Sequence, residues 1–311
     1  GRTYRHRSIQ DVIADLQLIR EKRILIVDDN LIGVSKKHVA RTKELLRAMI
    51  AADLGKKWIC QATINMADDD ELLGLARQAG CIGVFIGFES PTAEGLIEVH
   101  KQYHVRQGRN FPASVRQIQR YGITVAGSFI IGLDVDRPGI GRRIAEAASA
   151  YHVDFLNVMF LTPLPGTVLW QKMEAEGRIA TDRFPEDWKF FTLTLPVGRY
   201  RHLDRDQVID EMVDCNRRFY SWRRILARVG RNLLRRQQPY LVLIGNLSYR
   251  RNNRLGRTLF REFQQIRGGT SAVRRLPPTG VNGHIHETEL HDQDDLRRRH
   301  SSLQEHGAAQ T

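Results

Sequence analysis

Three carboxylates stand where apolar runs stop. Cys81-Ile-Gly-Val-Phe-Ile-Gly-Phe-Glu-Ser90 ends in an acid and a hydroxyl, with Pro91 behind them, and Arg23-Ile-Leu-Ile-Val-Asp-Asp-Asn30 ends in Asp28, Asp29 and Asn30. A short apolar run bounded by turn signals reads as a strand buried on both faces. Parallel α/β sheets bind ligands at the carboxyl ends of such strands. Carboxylates placed there accept hydrogen bonds from hydroxyl or ammonium groups, or bind a metal. Each also has a local alternative. Glu89 can cap the helix that follows Pro91, and Asp28, Asp29 and Asn30 suit a turn and a helix cap. Two adjacent acids followed by Asn exceed what a cap needs, which favours a functional role. In Ile123-Thr-Val-Ala-Gly-Ser-Phe-Ile-Ile-Gly132, Ser128 and Gly132 bracket Phe129-Ile130-Ile131. A glycine at a strand end admits a flat ligand to the backbone, or a closely packed helix. Thr162-Pro-Leu-Pro-Gly-Thr167 is a stiff turn whose carbonyls are free to face a ligand. Cys60 and Cys81 fall on strands and read as core residues, and no Cys or His cluster has metal-ligand spacing, so no metal site is predicted.

The elements that must position these residues alternate. A helix opens at Ser8-Ile-Gln-Asp11 and runs to about Arg20. Strands are expected at 23–30, 58–65, 81–90, 123–132 and 153–161, with helices between them at about 36–52, 69–78, 92 onward with 113–121, and 140–150. Five strand-then-helix units argue for a parallel sheet, either open and doubly wound or closed as a barrel. The Gly-x-Gly-x-x-Gly fingerprint of an open dinucleotide fold is absent, which favours a barrel or part of one. The leading helix has no strand before it, so a barrel lacking its first strand is expected. Beyond Met173 the alternation stops. The aromatic, proline-containing stretch 181–196 reads as a lid or packing loop, and Leu203-Asp-Arg-Asp206 opens a further helix. Residues 217–237 place Phe219, Trp222, Leu226, Val229 and Leu233 at steps of three and four among eight arginines, the pattern of a basic amphipathic helix. A short apolar run follows at 239–246. Residues 267–311 are rich in Gly, Pro, His and charge, without periodicity, and are expected to be disordered.

The 311 residues carry a net charge of +13, much of it beyond Arg199. That excess suits an anionic partner, RNA or a membrane surface, as well as a solvated surface. Three cysteines without close spacing argue against a disulfide framework and fit a reducing, cytoplasmic setting. These 311 residues hold no apolar run of membrane-spanning length, and no signal peptide is expected among them.

The succession Val27-Asp-Asp-Asn30, Gly87-Phe-Glu-Ser90, Gly127-Ser-Phe-Ile-Ile-Gly-Leu-Asp134 and Leu161-Thr-Pro-Leu-Pro-Gly-Thr167, in this order and spacing, resembles the radical S-adenosylmethionine enzymes. In particular it resembles the subgroup with an N-terminal cobalamin-binding domain. The resemblance covers about Gly1 to Gly177, with a weaker echo to about Arg228. It implies an α/β fold: a partial (β/α) barrel missing its first strand (1–177), a mainly helical C-terminal extension (178–266) and a disordered basic tail (267–311). It implies that Glu89 and Ser90 hold the ribose and methionine parts of S-adenosylmethionine, and that Asp28 and Asp29 line the same pocket. Ile130 and Gly132 would then pack on the adenine, with Leu161, Pro163 and the rest of 161–165 completing the rim. The complete family enzymes use S-adenosylmethionine, a four-iron (4Fe-4S) cluster and cobalamin for radical chemistry, with methyl transfer to carbon a frequent outcome. A small-molecule or lipid substrate is implied, with peripheral membrane contact through 217–237 if the substrate is a lipid.

The departures are as informative. The Cys-x-x-x-Cys-x-x-Cys motif that holds the cluster is absent, as are the first strand and the cobalamin domain, so the chain is expected to be a C-terminal fragment. The family's Lys-x-x-Asn appears as Lys101-Gln-Tyr-His104, and Asp136 stands where a Glu often ends the fifth-strand motif. Two other readings remain open: an inactive or S-adenosylmethionine-binding remnant, and an RNA-modifying protein. No recognisable RNA-binding module follows the barrel and the aromatics form no stacking platform, which argues against the second.

Overall fold

The computed structural model describes residues 5–101, 108–180 and 185–268, with side chains through Asn253 and at Phe260. His104, Phe184 and the expected disordered tail, apart from the helix end at 267–268, lie outside the described residues. Residues Gly1–Gln265 form one compact unit, which contains the strands, the site and all but the last three residues of the final helix described below.

Five strands, β1 (Arg23–Ile26), β2 (Lys57–Ala62), β3 (Cys81–Glu89), β4 (Thr124–Ile131) and β5 (Phe155–Phe160), form one parallel sheet in sequence order. Sequential order distinguishes the two architectures that alternation alone allows. A doubly wound sheet reverses its order at a switch point, whereas a barrel wall keeps it. The sheet is a half-barrel. β4, between β3 and β5, is buried almost throughout; β1 is an exposed edge. The helices α1 (Ile9–Leu18), α2 (Lys36–Ala51), α3 (Asp70–Gln78), α4 (Ala93–Glu98), α5 (Phe111–Arg120) and α6 (Ile140–Ala150) alternate with the strands, as the right-handed crossover rule requires of a parallel sheet. Their apolar stripes join Val84, Ile86 and Phe88 of β3 and Val125, Phe129 and Ile131 of β4 in the main core, where Phe88 stacks on Phe129 and meets Phe111 edge-on.

After β5 come α7 (Val168–Ala175), α8 (Arg205–Phe219), α9 (Trp222–Leu234) and α10 (Pro239–Gly268). A capping box between Asp204 and Gln207 starts α8. Gly139 has no side chain with which to cap α6, so Glu211 of α8 accepts from the backbone N–H groups of Gly139 and Gly141. The helices also satisfy the sheet edge. The Tyr220 hydroxyl donates to Leu156 O (2.8 Å) and accepts from Leu156 N (2.9 Å), closing the outer side of β5.

Three expectations are corrected here. The strand beginning at Arg23 stops at Ile26, leaving Asp28 and Asp29 on the following loop. The single helix expected over 217–237 is two. The chain breaks at Tyr220-Ser221 because Tyr220 turns in to reach Leu156, and Ser221 is extended (ψ 146°). The apolar run 239–246 is the start of a 30-residue helix, with Val242 and Asn246 facing inward. The described residues include no helix long and apolar enough to cross a membrane.

Candidate functional site at the strand ends

Side chains that point into the half-barrel form layers set by strand register. One layer is Gln61, Phe85, Ala126 and Phe155; the next toward the carboxyl ends is Gly87, Ser128 and Asn157. Below, a cavity of about 400 Å³ lies against Ile59, Phe85, Ala126, Phe155, Leu241 and Tyr249 and is predominantly apolar. Gly245 lets α10 close this floor: a Cβ there would lie 2.3 Å from the Phe155 ring. Above it, the Ser128 hydroxyl is buried without a hydrogen-bond partner. A buried polar atom left unpaired in a concave face is a candidate ligand contact.

Glu89 is the most constrained residue of the site. The register of β3 against β4 shifts between Gly87 and Glu89. Ser90 N donates to Phe88 O at 2.8 Å, closing a three-residue turn whose middle residue, Glu89, has φ +64°. A non-glycine residue in this region costs free energy and concentrates at functional sites. The turn folds the Glu89 carboxylate back over Gly87, where a Cβ would lie 2.1 Å from Oε1. Lys101 Nζ holds it there, bonding to Glu89 Oε1 (2.8 Å) and donating to Gly87 O (2.9 Å). Both side chains are mostly buried, so the carboxylate arrives with its counter-charge.

The loop after β4 is built by carboxylates that face backbone N–H groups. Asp136 accepts from Gly132 N (2.9 Å) and Leu133 N (3.0 Å), and Glu98 of α4 accepts from Asp134 N and Val135 N. Burial pushes the Asp136 carboxyl up to about 6, against the two backbone bonds that pull it down, with the Glu98 charge adding to the rise. Asp134 itself pairs with Arg178 (2.6 Å) and Lys172 (3.0 Å), which ties the chain beyond α7 to the β4 end. Burial pushes the Asp134 carboxyl up, but its hydrogen bonds to Arg178 and Lys172 together outweigh that and leave it below the usual range.

The structure brings Glu89, Ile130, Gly132 and Leu161 together at the ends of three adjacent strands. Ile130 is half-buried on the inner face. A flat ring does lie on Gly132, and it is this chain's own Tyr200, whose hydroxyl donates to Leu161 O (3.3 Å). Pro163 is buried facing Gly198 in the same returning segment. Ser90 is buried with its hydroxyl against Thr92 Oγ1 and Thr92 N, so it organises the start of α4. Asp28 and Asp29 are exposed two strands away, and Asn30 accepts from Gly33 N, the turn role that its residue type allows. Tyr200 and Glu98 were not found from sequence. Neither sits at a strand end, and no local pattern marks them.

The cysteines do not fit a four-iron cluster. Cys60 on β2, Cys81 on β3 and Cys215 on α8 are all buried. Burial pushes the Cys60 thiol up to about 12 and raises Cys81 and Cys215 as well, whereas cluster ligands are thiolates. Among the described residues no three His, Cys, Asp or Glu side chains converge on a metal position.

No protein-family model matches the chain. Over 232 residues it is 29% identical to the hopanoid C-2 methylase of Rhodopseudomonas palustris, covering 73% of this chain and 42% of that one. Over 235 residues it is 26% identical to the bacteriochlorophyllide d C-12(1)-methyltransferase of Chlorobaculum tepidum, covering 74% and 48%. The chain therefore spans less than half the length of these curated relatives. Among solved structures, the radical S-adenosylmethionine methyltransferase TsrM of Kitasatospora setae, with cobalamin and a [4Fe-4S] cluster bound, overlaps 57% of this chain and 36% of its own, at TM-score 0.46 and 18% identity.

Proposed function

We propose that this chain, which belongs to the radical S-adenosylmethionine enzymes of the cobalamin-binding subgroup, supplies the S-adenosylmethionine-holding wall of an enzyme that methylates carbon in an apolar small molecule. The observation that carries the reading is Glu89. It is a strained carboxylate turned into the half-barrel, beside the unpaired Ser128 hydroxyl and above an apolar cavity. Glu89 would accept hydrogen bonds from the ammonium or ribose hydroxyl groups of the cofactor, and Ser128 would take a further polar contact. Ile130 and Leu161 would pack on its adenine. Gly132, Ser90 and Pro163 act by positioning: Gly132 admits Tyr200, Ser90 sets α4, and Pro163 seats the returning segment. Asp28 and Asp29 belong to the rim in this reading. Bound S-adenosylmethionine supplies the methyl group or the deoxyadenosyl radical of the family's chemistry. The apolar floor supports an apolar substrate, and where that substrate is a lipid, peripheral membrane contact through 217–237 belongs to the same reading.

A second reading is favoured by the cysteines: this chain binds S-adenosylmethionine without cleaving it, since its buried thiols do not fit the cluster. No catalytic step is assigned to the cluster or to cobalamin here.

Calorimetric titration of the purified chain with S-adenosylmethionine tests the site. Binding is expected, and Glu89→Ala should weaken it by about 10- to 100-fold, the worth of a hydrogen bond to a charged group. Equal affinity of the two proteins, or no binding by the native chain, would refute the assignment.

A further inference from the structure

Between Asp214 and Glu262 the sequence holds thirteen arginines and no Asp, Glu or Lys. Periodicity alone suggests that α9 docks its apolar stripe on the barrel and leaves its arginines in water. The structure rotates the helix away from that arrangement. The inward side of α9 is Ile225, Arg228 and Asn232. Asn232 Nδ2 donates to the fully buried Asp154 carboxylate (2.9 Å), which also accepts from Val125 N and Gln119 Nε2. Arg228 donates to Asn246 Oδ1 (2.7 Å) and Phe219 O (2.9 Å) and lies over the Phe219 ring at 3.9 Å. A buried polar network fixes the rotation of the helix, because leaving any member unpaired would cost more than exposing leucines.

Much of the apolar stripe is left outside. Trp222, Leu226, Leu233 and Leu234 are 54%, 62%, 64% and 88% exposed, and the start of α10 adds Tyr240 at 76%. At 100° per residue, Trp222, Leu233 and Leu226 fall within one narrow stripe, with Leu234 beyond Arg223 on the same outward side. Arg231, Arg224 and Arg235 follow along one flank; Arg224 donates to Ala145 O and Ser149 Oγ and Arg235 to Gln119 Oε1, while Arg223, Arg235 and Arg236 are the exposed cations. Around the N-terminal end of α9, Arg217, Arg218, Arg223 and Arg224 surround an open depression; Arg217 and Arg218 are already paired with Asp214.

We infer that the outward face of α9 is a membrane-docking surface: its leucines and Trp222 enter the acyl boundary while the flanking arginines meet anionic lipid headgroups. An exposed apolar stripe bordered by cations, on a helix lying flat against its domain, is the physical signature of interfacial binding. RNA would use the arginines and leave three leucines in water, which explains only half of the face. A second copy related by a twofold axis would set arginines against arginines, with no acid between 215 and 261 to neutralise them. The inference deepens the membrane contact named in the proposed function; because the surface lies apart from the strand-end site, failure of docking would leave the cofactor site standing.

The test is flotation of the full chain with phosphatidylcholine vesicles containing or lacking phosphatidylglycerol. Co-flotation is expected with the anionic vesicles at low salt and should weaken at high salt. The triple change Leu226→Glu, Leu233→Glu, Leu234→Glu should lower partitioning at least tenfold with the thermal transition little changed, since these side chains are mostly exposed. Arg223→Gln with Arg235→Gln should reduce the preference for anionic vesicles. A native chain that stays at the bottom with anionic vesicles overturns the inference, as does a triple variant that floats equally well. So does RNA binding, or a dimer dispersed by the leucine changes, without vesicle binding. Titration with S-adenosylmethionine on the same variants keeps failure of docking distinct from failure of the cofactor site.

Discussion

The ring of Tyr200 lies on the α-carbon of Gly132: a Cβ built there would come 2.5 Å from Tyr200 Cε1. Gly132 also has φ +98°, so two independent constraints exclude a side chain at this position. Gly132→Ala is expected to cost about 2–4 kcal/mol, from left-handed backbone strain and overpacking together. Adding Tyr200→Ala should relieve the steric part and leave the backbone part, so the two changes will be non-additive in urea denaturation. Strict additivity would mean that Tyr200 is elsewhere.

At Glu89 the same conformational argument separates two substitutions. Both Glu89→Ala and Glu89→Gly lose the ion pair with Lys101, but only glycine adopts φ +64° freely. Glu89→Gly is therefore expected to be more stable than Glu89→Ala by about 1 kcal/mol. The usual order at a strand end in ordinary β conformation is the reverse, so equilibrium unfolding of the two variants reports directly on the turn.

Asp136 links the site to pH. Its folded value, about 6, lies above the ordinary 3.8, so the folded chain holds this proton more tightly than the unfolded chain. Its contribution to stability is full below about 3.8, falls as pH rises toward about 6, and is flat beyond; the shift corresponds to roughly 3 kcal/mol. Asp136→Asn keeps an acceptor for Gly132 N and Leu133 N and removes the titration. The stability of the native chain relative to this variant should decline between about pH 4 and pH 6. A difference that stays constant across that window would show that the carboxyl titrates as an exposed one.

Arg228 and Arg223 read alike in the sequence and differ in the fold. Arg228 is buried among Asn246, Phe219 and Asn232, and burial lowers it to about 10; Arg223 is exposed. Arg228→Ala is expected to destabilise by about 2–4 kcal/mol because Asn246 Oδ1 and Phe219 O lose a buried donor. Arg223→Ala should stay within about 0.5 kcal/mol of the native chain. Equal effects would return α9 to the orientation that periodicity suggests.

Much of the fold was legible because it is written locally. Apolar runs and 3.6-residue stripes marked all five strands and the helices between them, although β1 and β2 stop short of the turn residues expected to end them. The absence of a dinucleotide fingerprint pointed to a barrel, and the strand order bears that out. Glu89 was visible for the same reason: an acid directly after a buried strand has few local roles.

Relationships across the chain were not legible. Gly132 signalled that something flat approaches, but whether that is a ligand or the ring of Tyr200 depends on where the segment after α7 returns, which the Asp134–Arg178 pair decides. Apolar periodicity located α9 but not its rotation. A helix buries whichever face is best satisfied, and only the fold reveals that Asp154, on the turn before β5, and Asn246, on another helix, offer Asn232 and Arg228 partners that no leucine could replace. Composition and local pattern determine which elements form. Pairing of buried polar groups between distant elements determines how those elements turn, and hence which residues meet the ligand and which meet the surroundings.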